Sequence, residues 1–303
     1  MNKSSNKSMK SIDEAAQAAG LTNDASASVR FWIADQLMAH EYAKLTQGGH
    51  TNTQVPLRRV FVDLPIQIQN DEDERAGFLD RLVSSPPLSL QNDEIFFYER
   101  HSASADEASK RKNNSIVRRT RTTVHGTDSL GSAVLLIGGP GQGKSTVSQL
   151  ACQLHRALLL RDAGNDLTVA QSEVVRSFLS DTGRNDNRSA LKIPAHPLLP
   201  LQIPLPDLMA WANKPATSFD GSHPVLLEFI SQLPSATRVS LNTKTILAIA
   251  KQLGCLVVLD GFDEIGSVED RSFIVRAAQE LLDVFRKNEI QIQIVVTTRP
   301  QGY

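Results

Sequence analysis

The stretch Leu135-Leu136-Ile137-Gly138-Gly139-Pro140-Gly141-Gln142-Gly143-Lys144-Ser145-Thr146 limits what this chain can become more than any other. It passes from a short apolar run through G-x-x-x-x-G-K-S into residues with helical spacing. A phosphate group needs those parts in that order. The apolar run, as a strand, sets where the loop begins, and the glycines let backbone N–H groups turn inward without a side chain in the way. A helix starting at the end of the loop points its partial positive charge and its free amides at the anion. After Lys144 the apolar residues Val147, Leu150, Ala151, Leu154, Ala157 and Leu158 recur three and four apart, as one helical face requires. The spacing therefore predicts a strand, a loop and a helix around a nucleotide site. Gly138, Gly139, Pro140, Gly141, Gln142, Gly143 and Thr146 would line it, Lys144 would reach the β- and γ-phosphates, and the Ser145 hydroxyl would ligate Mg²⁺. A glycine-rich turn that merely contains a lysine is the plain alternative.

A phosphate loop needs an acidic partner, and Leu256-Val257-Val258-Leu259-Asp260-Gly261-Phe262-Asp263-Glu264 offers one. A continuous apolar run is the pattern of a strand buried on both faces, and an acid at its end stands at the sheet's edge. Asp260 is the expected second Mg²⁺ ligand, direct or through water. Hydrolysis needs an acid to orient the attacking water; Glu264 is the first candidate and Asp263 the second. The alternative is an acidic turn after a strand, common in any α/β protein. A third apolar run, Ile290 to Val296, ends in Thr297-Thr298-Arg299-Pro300. Arg299 there could sense the γ-phosphate, or could simply face water.

Composition narrows the setting. The 303 residues suffice for one large domain or two ordinary ones, and 41% hydrophobic against 21% charged residues suits a globular core. A net charge of −1 gives no global field toward DNA or membranes. Cys152 and Cys255 are the only cysteines, and both read as buried small hydrophobes, without a disulfide framework or zinc spacing. Met1 to Lys10 is polar and basic with no apolar stretch after it, so a signal peptide is not expected there, and no apolar run approaches the roughly 20 residues of a membrane span. A reducing, cytoplasmic location is the expectation.

Taken in order, residues 1–25 should begin disordered, and a helix is expected over Ala27–Leu45. An extended segment over Arg59–Ile66 and a helix over Arg75–Val83 follow. Residues 101–128 read as a linker carrying Lys110, Arg111, Lys112, Arg118, Arg119 and Arg121. No aromatic residue is interleaved for base stacking, so a solvated linker is favoured over a nucleic-acid contact through Lys110–Arg121. A further option is that one of these arginines touches the nucleotide. From Ser132 onward strands and helices alternate: Val134–Ile137, Lys144–Arg161, Thr168–Ser180, Leu198–Leu208, Val225–Leu233, Asn242–Leu253, Leu256–Leu259, Val268–Lys287 and the last run. Pro200 and Pro204 place the Leu198–Leu208 strand near a sheet edge. The expected fold is α/β, a doubly wound parallel sheet over residues 129–303, preceded by a mainly helical region and linker over residues 1–128.

The loop Gly138–Thr146, the Asp260–Glu264 signature and Thr297–Pro300 together resemble the NACHT class of STAND nucleoside triphosphatases, over about residues 130–303. The paired acids after a small residue are the most specific element. The resemblance implies a P-loop core that rests with ADP, exchanges it for ATP on sensing a ligand, and self-associates to drive an attached effector, in anti-phage defence or innate immunity. An oligomerisation scaffold that binds nucleotide without turnover is the rival reading. The sequence departs from the class by stopping at Tyr303, where helical and winged-helix parts with a nucleotide-contacting histidine would be expected. The interval from Lys144 to Asp260 is also long, with insertions expected at Asn185–His196 and Trp211–His223. The effector and the trigger are not recognisable.

Overall fold

The structure, a computed structural model, describes residues 11–43, 55–57, 79, 82, 96–98, 133–180, 193–214 and 222–300. The expected segment Arg59–Ile66, most of Arg75–Val83, the linker 101–128 with Lys110–Arg121, and the centres of both expected insertions lie outside these residues. So does the boundary between 128 and 129.

Two N-terminal helices come first, α1 (Ile12–Ala18) and α2 (Asn23–Ala39). Helical structure therefore starts earlier than the Ser- and Asn-rich composition predicted, because Ser11 and Thr22 each cap a helix by accepting an N–H three residues on. A two-residue antiparallel pair, β1 (Tyr42–Ala43) with β2 (Val55–Pro56), follows. The main sheet holds β3 (Phe96–Tyr98), β4 (Ala133–Ile137), β5 (Leu199–Pro204), β6 (Cys255–Asp260) and β7 (Ile292–Thr298). Their spatial order is β3-β4-β7-β6-β5, and every pairing is parallel. Between β4 and β5 lie α3 (Lys144–Leu160) and α4 (Val169–Leu179). Between β5 and β6 lie α5 (Leu205–Ala212), α6 (Val225–Ser231), α7 (Pro234–Thr237) and α8 (Thr243–Leu253); α9 (Val268–Lys287) joins β6 to β7.

Successive side chains on a strand point to opposite faces. Cys255 through Leu259 are all at most 3% exposed, so both faces of the sheet are covered. The fold is α/β with a parallel sheet, as the apolar runs predicted. β5 takes the edge. The Leu199 N–H donates to Gly254 O on the β6 side, so the alternate positions Pro200 and Pro204 face outward, where a missing N–H breaks no ladder bond. The extended stretch ends at Pro204 rather than Leu208, since Pro206 is well placed in the first turn of α5.

The helix after the glycine loop is the densest element. All fourteen residues from Val147 to Leu160 are buried, including Ser148, Gln149, Gln153, His155 and Arg156. A helix buried all round needs partners on every side, and α3 packs on the sheet, on α4 and on α2. The contact with α2 is polar. The last carbonyls of a helix have no intrahelical donor. Gln153 Nε2 donates to Leu37 O at 2.7 Å, and Gln149 Nε2, one turn earlier, donates to His40 O at 2.9 Å and Tyr42 O at 3.3 Å. This grip ends α2 at Ala39, short of the expected Leu45. Helices α1 and α2 thus share one hydrophobic core with the sheet. No described helix is long and apolar enough to cross a membrane.

Arg156 is 1% exposed, and it forms no ion pair with a described carboxylate. Its Nη1 donates to Gln153 Oε1 at 2.8 Å and more distantly to Gln202 Oε1 at 3.4 Å. Burial lowers its pKa, opposed in part by Cys152. Gln153 therefore satisfies two buried groups, one at each end of its amide. Gln153→Ala should destabilise the fold by about 2–6 kcal/mol, twice the roughly 1–3 kcal/mol of leaving one buried polar group unmet, read by urea unfolding.

His155 accepts the Leu198 N–H on Nδ1 at 3.0 Å, and burial pulls its pKa from 6.5 to about 3. The unfolded chain takes up this proton below about pH 6.5 while the folded chain does not, so the stability is whole above 6.5 and drains as pH falls toward 3. The slope is at most about 1.4 kcal/mol per pH unit. His155→Gln, which keeps an acceptor but cannot titrate there, should flatten the unfolding free energy between pH 6.5 and 5 relative to the parent chain.

Candidate functional site

β4 and β7 pair in register to their ends, Ile137 opposite Thr298, and the Gly138 N–H extends the ladder by donating to Thr298 O at 3.2 Å. There the chain leaves the sheet as a loop. Gly141 and Gly143 have φ of +70° and +76°, the left-handed region that disfavours side chains. Gly138 differs: a Cβ there would lie 2.6 Å from Gln142 Oε1 and would push that side chain aside. That same oxygen accepts the Gly139 N–H at 2.8 Å and holds the loop in its turn.

α3 begins at Lys144 with Gly143 as its cap, which makes no side-chain hydrogen bond to the amides of the first turn. These donors are the anion-binding feature of a helix N-terminus. Lys144 bends back over the loop, its Nζ donating to Gly138 O at 2.6 Å and Gly139 O at 3.0 Å. Partial burial lowers the Lys144 pKa; Asp263, Asp260 and Glu264 oppose that shift and Arg299 adds to it. Groups from the loop, from β6 and from β7 thus converge on one ammonium.

Asp260 ends β6, and its Oδ1 accepts the Ser145 hydroxyl at 2.9 Å. The two expected Mg²⁺ ligands are therefore adjacent, although 115 positions separate them. Gly261 then turns the chain with φ +88°. This explains the small residue between the acids: any side chain would be strained there. A short 3₁₀ turn, Phe262–Glu264, carries the other two acids. Asp263, its side chain only 10% exposed, pairs with Arg299 Nε at 2.7 Å. Glu264 is exposed and forms no ion pair with a described residue. The two acids that look interchangeable in sequence have different surroundings.

No family model, curated protein or solved structure matches this chain. The site stands on its geometry.

Thr297, legible in the sequence only as part of the Thr297–Pro300 motif, belongs to the site. It is 1% exposed, accepts the Gly261 N–H at 2.8 Å and donates to Asp260 Oδ1 at 2.5 Å. Its position at the end of an apolar strand was the available signal, since a hydroxyl buried there must have a partner. Cys152 and Cys255 are both buried and unpaired with each other. Burial pushes Cys152 up to about 11 and Cys255 well above its usual value, so neither thiol is a ready nucleophile.

Among the described residues no group of three His, Cys, Asp or Glu could hold a metal unaided. Ser145 and Asp260 do fit a hard cation that takes its other ligands from phosphate oxygens and water, as Mg²⁺ does. Gly261→Ala should lower stability by about 1–2 kcal/mol through its left-handed φ; a Cβ would meet nothing closer than 3.4 Å. An unchanged denaturation midpoint would remove the strain argument.

Proposed function

We propose that this chain is an ATP-binding, slowly hydrolysing signalling switch of the NACHT type, working with Mg²⁺. The observation that carries the reading is the convergence of Ser145, Asp260 and Lys144 at the carboxyl edge of a parallel sheet, beside a helix N-terminus whose glycine cap makes no side-chain bond. Open α/β sheets bind ligands at that edge.

The roles follow from the surroundings. Backbone amides of Gly141, Gly143, Lys144, Ser145 and Thr146 receive the phosphates, and Lys144 exchanges the carbonyls of Gly138 and Gly139 for phosphate oxygens. Ser145 and Asp260 hold Mg²⁺, which neutralises charge on the phosphates. Asp263 is committed to Arg299, so Glu264 is the acid free to orient water. Arg299 uses Nε on Asp263 and keeps its other donors for the γ-phosphate, so that its placement depends on which nucleotide is bound. A switch of this kind would rest with ADP and self-associate with ATP. Its setting would be cytoplasmic defence signalling, by the resemblance of the three motifs.

Mg-ATP or Mg-ADP at about 100 times the dissociation constant should raise the melting temperature by about 5–10 °C, and Lys144→Ala should abolish the shift. GTP belongs beside ATP in that experiment, because no residue identified here reads the base. Equal melting curves with and without every nucleotide would remove the proposal. Glu264→Gln should keep the shift and lose about 100-fold or more in hydrolysis. If parent and variant bind nucleotide and neither turns it over, the scaffold reading takes its place.

A further inference from the structure

Thr297 sits on β7, the strand between the phosphate-loop strand β4 and the acid-bearing strand β6. A threonine hydroxyl has a single proton. The Gly261 N–H donates to Oγ1, at 2.8 Å, so it occupies an acceptor position and leaves the hydroxyl proton for another partner. Asp260 Oδ1 lies 2.5 Å away and is that partner. Thr297 is 1% exposed, so the hydroxyl is shielded from bulk solvent.

Two consequences follow for Asp260. Its Oδ1 accepts both Thr297 and Ser145, which fixes the rotation of the carboxylate. No described residue donates to Oδ2, so that oxygen keeps its full acceptor capacity. We infer that Thr297 is a positioning residue, whose hydroxyl orients the Asp260 carboxylate so that its uncommitted oxygen is presented to the cation of a metal–nucleotide complex. This rests on the nucleotide reading above and adds to it a residue that touches neither nucleotide nor metal. Groups that hold a metal ligand in orientation are commonly worth 10–100-fold in metal affinity.

The competing account is that Thr297 only satisfies the Gly261 amide and so steadies the turn. The two accounts separate on Mg²⁺. Thermal stabilisation by ADP is measured as a function of free Mg²⁺, and again in EDTA, for the parent chain, Thr297→Val and Thr297→Ser. Thr297→Ala is a second hydroxyl-free variant should the valine chain not fold. The expected result is that removing the hydroxyl raises the Mg²⁺ concentration for half-maximal stabilisation by about ten-fold or more. The EDTA shift should stay as in the parent, and serine should restore the Mg²⁺ dependence to within about three-fold. The inference is overturned if the hydroxyl-free variants keep the parental Mg²⁺ dependence, or if they lose stabilisation equally with and without Mg²⁺. A parent chain that no nucleotide stabilises would instead overturn the nucleotide reading itself, and this inference with it.

Discussion

The carboxylate of Asp260 is the point on which the site's architecture depends. One of its oxygens accepts a hydroxyl from the first turn of α3 and another from the end of β7, so three separate segments meet at a single atom. The meeting is possible because β7 lies between β4 and β6, in register with both. From that place the end of β7 reaches the acid of β6 on one side and the first glycine of the phosphate loop on the other. The parallel sheet supplies the rest, since all its strands deliver their ends to one edge.

Behind that edge the interior is arranged to hold α3 still. The helix carries the loop at one end and buries every residue from Val147 onward. Its polar side chains are not left idle inside the core. Gln149 and Gln153 take the free carbonyls at the end of α2, His155 takes a backbone N–H from the segment before β5, and Arg156 is bonded through glutamine oxygens. Burying an arginine is costly in solvation. Its guanidinium is tolerated because amide oxygens meet part of its donor set, and the same network links α2 to the phosphate-loop helix. Movement of α3 would therefore be felt by the N-terminal helices directly.

Much of the fold was legible because the signals are local. Val268–Lys287 has helical periodicity and a Ser267 cap, and the run from Leu256 has the pattern of a strand covered on both faces. The glycines of the loop were also readable, since left-handed backbone at Gly141 and Gly143 admits little else. Other features left no local trace. Gln149 and Gln153 resemble solvent-facing helical residues, and only the docking of α2 makes them interior. Asp263 and Glu264 are neighbours with similar chemistry, and only the fold gives one of them an arginine.

The sequence by itself determined the strand–loop–helix, the acid at the end of an apolar run and the parallel α/β class. Each depends on residues within a few positions of one another, through periodicity, glycine conformation and capping. The tertiary structure alone decided the strand order, the Asp263–Arg299 pair and the two hydroxyls on Asp260. Those are contacts between segments far apart in the chain, set by which surfaces pack together, and no short-range pattern encodes them.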